Sequence, residues 1–259
     1  MQIIDRYAYS NALRQVTPTL KAAITLSVIL LCLVLNEPLV GLTAVLWMLV
    51  LAVGLARIPL RPFGGILLAE GGFLLLATIA VILSFSLQPP AQDDGWRLHL
   101  GMLWISTTPE SLYRGANLIL RALGAAAAMN FLALTTPMID LIDMLHRLHM
   151  PAIIIDLMTL MYRYIFVLLE SLERMNRAQN SRLGFAASNM RRMRNAAGIA
   201  TRLFIESFLR SRHLQRALAA RGYDGGDLRV LPATYEHDNR VLLLGLLGII
   251  LQLLVWLTF

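Results

Sequence analysis

Arginine dominates the chemistry this chain can offer. Between Ser171 and Val230 stand twelve arginines against four acidic residues, and one of the twelve sits in Ala220-Arg221-Gly222. A guanidinium stays charged and presents five donors in a planar fork that fits a carboxylate or phosphate bidentately. That chemistry is the grip of an anionic partner. Other reactive groups are sparse. Lys21 is the single lysine, and it lies in Pro18-Thr19-Leu20-Lys21-Ala22-Ala23. This is not the Gly-x-x-x-x-Gly-Lys-Ser/Thr loop whose lysine reaches nucleotide phosphates. If ATP powers the protein, another chain binds it. Cys32 is the only cysteine, which excludes an internal disulfide and a cysteine-rich metal site. His146 and His149 are spaced to share a face of a predicted helix, with Asp143 in reach. A metal site needs a fuller ligand set, so a polar helix face is the favoured reading. Neither Gly-x-Ser-x-Gly nor His-Glu-x-x-His occurs, and no catalytic residue, metal ligand or cofactor is expected in this chain.

The elements that must position these arginines are membrane helices. The chain has 259 residues, of which 57% are hydrophobic and 15% charged, against about 25% charged in soluble domains. Its net charge of +7 is explained by the basic bias of cytoplasmic loops, and no nucleic-acid partner is expected. No small-x-small cleavage site follows the first apolar run, which argues against a cleaved signal. About twenty apolar residues cross a bilayer as a helix. Candidate spans are Leu20–Leu35, Leu39–Ala56, Phe63–Leu87, Leu112–Leu134 and Val241–Phe259. Arg6, Arg14, Lys21, Arg57 and Arg61 put the N-terminus and the second loop inside. Gln88–Ser111, with Asp93, Asp94 and Glu110, lies outside. Pro151–Leu169 is apolar enough to span but carries Asp156 and Arg163 between two basic flanks. It is read as a helix at the membrane surface, which makes five spans; six is the alternative.

The fold class expected is therefore all-α, a polytopic membrane protein with about five transmembrane helices and long amphipathic cytoplasmic helices before the last span. Residues 1–134 form a four-span membrane domain, 135–240 a cytoplasmic helical domain, and 241–259 the last span. In the third span Gly64-Gly65 and Gly71-Gly72 could let helices approach closely. Glu70 beside them is either an ion or proton site or a packed acid, with Arg121 the obvious partner. In the basic block one helix is expected through Leu168–Arg182, stopping at Leu183-Gly184, and a second through Ala196–Arg221, stopping at Gly222. Arginine in a last turn also complements the helix dipole, so Arg182 and Arg221 could be helix-end charges alone. The second helix carries Ile199, Leu203, Phe204, Ile205, Phe208, Leu209 and Leu218 as a broad apolar surface, with Arg202, Glu206 and Arg210 as a charged row. Such a helix can lie on anionic lipid or fill a partner's groove.

Taken in order, several segments resemble the transmembrane T component of energy-coupling-factor (ECF) transporters, most closely the cobalt-type, CbiQ-like subfamily. Ile4-Asp5-Arg6-Tyr7-Ala8 and Pro18-x-x-Lys21 are similar to its opening. Leu134-Thr135-Thr136-Pro137 and the leucine-spaced Leu141–Pro151 are similar to the start of its coupling helices. Tyr162-Arg163-Tyr164 and Leu168-Leu169-Glu170 fit its next helix, and Arg216–Tyr223, ending Ala219-Ala220-Arg221-Gly222-Tyr223, is similar to its second arginine motif. The first arginine motif departs from the pattern: Ser181-Arg182-Leu183 stands where the family has Ala-Arg-Gly or Ala-Arg-Ser.

The resemblance implies a scaffold that is not itself an enzyme. Two ATP-binding cassette ATPase subunits would dock on Ser181, Arg182, Ala220, Arg221 and Gly222. A membrane substrate-binding subunit for cobalt or nickel would be held beside it, in the cytoplasmic membrane of a bacterium or archaeon. The rival is the permease of a conventional ABC importer, whose coupling motif starts acidic-Ala-Ala; here Leu218 precedes Ala219-Ala220 and the glycine follows too closely.

Overall fold

The computed structural model describes residues 2–82, 84–86, 96–100, 103–181, 188–223, 235 and 238–258. Its elements in chain order are α1 (Gln2–Ser10), α2 (Pro18–Val34), α3 (Pro38–Val50) running into a π-helical turn (Leu51–Leu55), and α4 (Leu60–Ile82). There follow β1 (Ser84–Ser86), β2 (Trp96–Leu100), β3 (Leu103–Thr107), α5 (Pro109–Thr135), α6 (Met138–Arg147), α7 (Ala152–Asn180), α8 (Asn189–Ala220) and α9 (Asn239–Thr258). The chain is an all-α polytopic membrane protein that carries one small sheet. Proline opens α2, α3 and α5, a position where its missing N–H costs nothing. α5 adds a capping box, with Ser111 N–H donating to Thr108 Oγ1 and Thr108 N–H donating to Ser111 Oγ.

The chain divides into two compact units, residues 1–140 with 233–259 and residues 141–232. In the first unit α5 is the hub, packed by α1, α2, α3 and α4, while α9 lies on α2 and α3. Val28, Cys32, Ala44, Met48, Ala127, Ala128, Phe131 and Leu134 are buried at the centre. α3 and α5 nearly touch through backbone: a Cβ on Gly41 would lie 2.4 Å from the Leu120 carbonyl oxygen. Outward positions such as Leu68, Phe73, Leu76 and Leu257 are exposed and apolar, as a lipid-facing surface requires.

Three expectations change here. Five helical stretches are long and apolar enough to cross a membrane: Pro38–Leu55, Leu60–Ile79, Pro109–Thr135, Ala152–Asn180 and Asn239–Thr258. The number matches the sequence reading, but the membership differs. The first apolar run folds as the shorter 17-residue Pro18–Val34, while the run read as Pro151–Leu169 is the N-cap and apolar part of the 29-residue α7. Second, the stretch between α4 and α5 contains structure. β1, β3 and β2 form an antiparallel sheet in that order, with Phe85 opposite Ile105 and Leu98 opposite Ile105 on the other side. Trp96-Arg97-Leu98-His99-Leu100 alternates apolar and polar, a strand pattern within a stretch read as polar loop.

Third, the glycine pairs of α4 do not make the close approach. A Cβ on Gly64, Gly65 or Gly72 would meet nothing within 4 Å. Nor does Glu70 pair with Arg121. Asn130 Nδ2 donates to Glu70 Oε2 at 2.8 Å, and Arg121 donates to Asn36 Oδ1 and to the Leu33 carbonyl. A carboxamide serves Glu70 because it satisfies the acceptor without bringing a second charge into the bilayer.

Candidate functional site

The second unit is built on α7 and α8, which pack against each other. Half-buried positions of α8 recur at helical spacing: Asn195, Ile199, Leu203, Glu206, Arg210, Leu214 and Leu218. Polar ties run along that seam. Ser171 Oγ donates to Glu206 Oε1 at 2.9 Å, and Arg210 Nε donates to the same oxygen at 3.1 Å. The Arg210 bond, then the Ser171 bond, hold the Glu206 carboxyl below its usual range. Arg174 reaches Glu170 at 2.8 Å. The apolar surface expected as one face of α8 is in fact two. Ile199, Leu203 and Leu218 lie on the seam, whereas Phe204, Ile205, Phe208 and Leu209 are exposed, Phe204 at 72%.

The end of α8 is a glycine stop with both of its bonds made. Gly222 has φ +76°. Its N–H donates to the Ala219 carbonyl at 3.1 Å, and the Tyr223 N–H donates to the Leu218 carbonyl at 3.0 Å. These are the two bonds of a Schellman motif. Arg221 is the cap residue itself, one position beyond the helix. Ala220, Arg221 and Gly222 are all exposed, and among the described residues no acidic side chain pairs with the Arg221 guanidinium. Past the stop, Tyr223 Oη donates to Asp156 Oδ2 at 3.3 Å, so the turn that presents Arg221 is tied to a buried carboxylate in the first turns of α7. Asp156, the charge that fitted no membrane scheme in the sequence, is that tie.

At the other helix end Ser181 is exposed and its Oγ donates to the Arg177 carbonyl at 3.1 Å. Arg182, Leu183 and Gly184 lie outside the described residues. α7 and α8 run antiparallel, since Ser171 meets Glu206 while Asp156 meets Tyr223. Ser181 and Arg221 are therefore not brought together. They stand toward opposite ends of the helical pair, roughly 40 Å apart at 1.5 Å per residue. Sequence reasoning found both ends but not their opposition, which needs the pairing of the two helices. A cleft between the end of α7 and the start of α8 is lined by Asn176, Gln179, Asn180, Arg192, Asn195 and Ile199.

His146 and His149 do not come together as a site. α6 ends at Arg147, and His149 lies beyond it with φ +62°, so it does not share a helical face with His146. Asp143 accepts from Arg147 Nε at 3.0 Å. Among the described residues no cluster of three metal-ligating side chains occurs.

Residues 9–231 match the family described as cobalt transport protein, CbiQ. The chain belongs to that family. It is 34% identical to the cobalt transport protein CbiQ of Rhodobacter capsulatus over 68% of this chain and 65% of that protein. It is 29% identical to CbiQ of Salmonella typhimurium over 86% of this chain and 97% of that one. The energy-coupling factor transporter transmembrane protein EcfT of Acidaminococcus fermentans is 28% identical over 98% of this chain and 94% of its own. A multi-pass protein of the CbiQ and EcfT kind is a transporter membrane component.

Proposed function

We propose that this chain is the coupling subunit of an ECF-type importer for cobalt or nickel ions. Two ATPase subunits bind the opposite ends of the α7–α8 pair, one at Ser181-Arg182 and one at Ala220-Arg221-Gly222. The observation that carries this reading is an exposed, acid-free arginine on a rigid glycine stop, facing away from the other helix end. One surface could serve one ATPase; two ends separated by an antiparallel pair suit two copies of the same partner. A guanidinium inserted into a partner's acidic groove pairs bidentately, and breaking such a buried pair costs about 3–5 kcal/mol. The exposed Phe204, Ile205, Phe208 and Leu209 supply an apolar face for the membrane substrate-binding subunit. ATP-driven motion of the ATPases is delivered through α8 and through α7, which lies at the membrane surface although it is long and apolar enough to span, to that subunit in the bacterial or archaeal inner membrane. Cargo selection belongs to the partner.

The test is the double variant Arg182→Ala/Arg221→Ala in the complete complex. Loss of ATPase co-purification and of cobalt uptake is expected. Full uptake with an intact complex would sink the proposal. The conventional permease reading predicts instead that a soluble binding protein co-purifies.

A further inference from the structure

The chain leaves the first unit after Asp140 and returns to it at Ala233. These two crossings are far apart in sequence, yet they are joined: Tyr235 Oη donates to Asp140 Oδ1 at 3.1 Å. Asp140 is 9% exposed, at the start of α6, and its N–H is bonded to the Pro137 carbonyl. Tyr235 is half-buried shortly before Asn239, where α9 begins. Behind the pair stands Lys21, the chain's only lysine, with no exposed surface at all. Its ammonium donates to the Thr135 carbonyl and to the Leu13 carbonyl, each at 3.0 Å, and interacts electrostatically with Asp140. Asn11 Nδ2 reaches the same Thr135 carbonyl at 3.2 Å. Thr135 is the last residue of α5, so Lys21 sits where the helix dipole is negative and its carbonyls are unpaired.

A fully buried ammonium is expensive, and one stays charged only where acceptors surround it. Nothing in lipid packing calls for such a group. The expense is concentrated where the hub helix ends and the second unit begins. A unit joined by two loose connections would move without moving the helices it leaves and returns to; tying the connections to each other and to the end of α5 links a movement of either connection to that helix.

We propose that Asp140 and Tyr235, backed by Lys21, are positioning residues that clasp the two connections together, so that movement of the second unit is delivered to α5 and α9. The transport part of this inference rests on the coupling function proposed above; the clasp itself does not. Two experiments separate them. In the purified full-length chain, hydrogen exchange of backbone amides in residues 138–147 and 239–244 should speed up about tenfold in Asp140→Asn and Tyr235→Phe. Exchange unchanged from wild type overturns the clasp whatever the chain's function. In the reconstituted complex with its ATPases, cobalt ions carried per ATP hydrolysed should fall at least about threefold in either variant, with assembly retained. The double variant should be no worse than Asp140→Asn alone. An unchanged ratio overturns the positioning role. So does loss of assembly in Tyr235→Phe, which deletes one hydroxyl, because that would make the contact structural only. A wild-type chain that binds no ATPase refutes the coupling function in the control, while the exchange result still decides the clasp.

Discussion

Replacing Gly222 by alanine isolates the part of the docking argument that depends on backbone geometry. Gly222 holds φ +76°, and an L-residue in that region costs about 1–2 kcal/mol more than glycine. A Cβ built on it meets nothing within 4 Å, so no clash inside the chain adds to that figure. The cost is also local. The end of α8 escapes it by giving up the Tyr223-to-Leu218 and Gly222-to-Ala219 bonds, which frays the turn and releases Arg221 from one pose. Overall helix content and folding should be unchanged.

The magnitude at the partner follows from populations. Apparent affinity falls in proportion to the fraction of chains in the competent state. A shift of 1–2 kcal/mol is a factor of about 5–30, and this is the upper bound on the loss when the capped turn is the docked form. The assay is titration of ATPase subunits onto the detergent-solubilised chain, comparing wild type, Gly222→Ala and Gly222→Asn. Asparagine enters the left-handed region more readily than alanine, so the asparagine variant should fall between the other two. Binding of Gly222→Ala within about twofold of wild type refutes the argument, as does an equal loss for both variants. The second outcome would assign the glycine to close approach by the partner's surface.

Three other perturbations have clear expected outcomes. Gly41→Ala forces a Cβ toward the Leu120 backbone and should destabilise by about 1–3 kcal/mol or more; Gly65→Ala, in open space, should stay within about 0.5 kcal/mol, both read by thermal unfolding in detergent. The folded Glu206 carboxyl titrates below its usual range, so its tie to α7 is intact above that range and is lost as pH falls through the lowered value. Acid-induced loosening of the α7–α8 pair should be weaker by under about 1 kcal/mol in Glu206→Gln than in wild type, measured by amide exchange in α8. Glu70→Gln keeps an acceptor for Asn130 and should leave transport near wild type, whereas Glu70→Leu strands the carboxamide at about 1–3 kcal/mol. Loss of transport in Glu70→Gln alone would make the carboxylate an ion or proton site.

The membrane unit was legible in outline because about twenty apolar residues in a row admit few structures. Its internal contacts were not. Gly64, Gly65, Gly71 and Gly72 carry the spacing of a close crossing, yet the crossing is made by Gly41 and Gly124. Small residues license an approach without saying which helix approaches. Glu70 was expected to find the nearest intramembrane cation. Arg121 is instead consumed by Asn36 and Leu33, a competition visible only once α2 and α5 are packed. Lys21 was read as a topological charge, since a lysine near a span usually snorkels to water. Its burial could be inferred only from the carbonyls that Thr135 and Leu13 turn toward it.

In the second unit the reverse holds: local chemistry was readable and spacing was not. Ala220-Arg221-Gly222 announces a helix stop, and the stop is there. What sets the distance between the two helix ends is the register of α7 against α8. An apolar seam of Ile199, Leu203, Leu214 and Leu218 tolerates slippage by a turn, because leucine in the next groove packs nearly as well. Each such slip would carry Arg221 about 5.4 Å along the pair. Hydrogen bonds cross the seam from Ser171 to Glu206, from Arg210 to Ser171 and from Tyr223 to Asp156; one turn away Tyr223 would face the apolar side chain of Ala152 or Leu160, which penalises the slipped forms. On the coupling function proposed above, the arginines grip two partners at a separation that these polar residues hold by fixing the register.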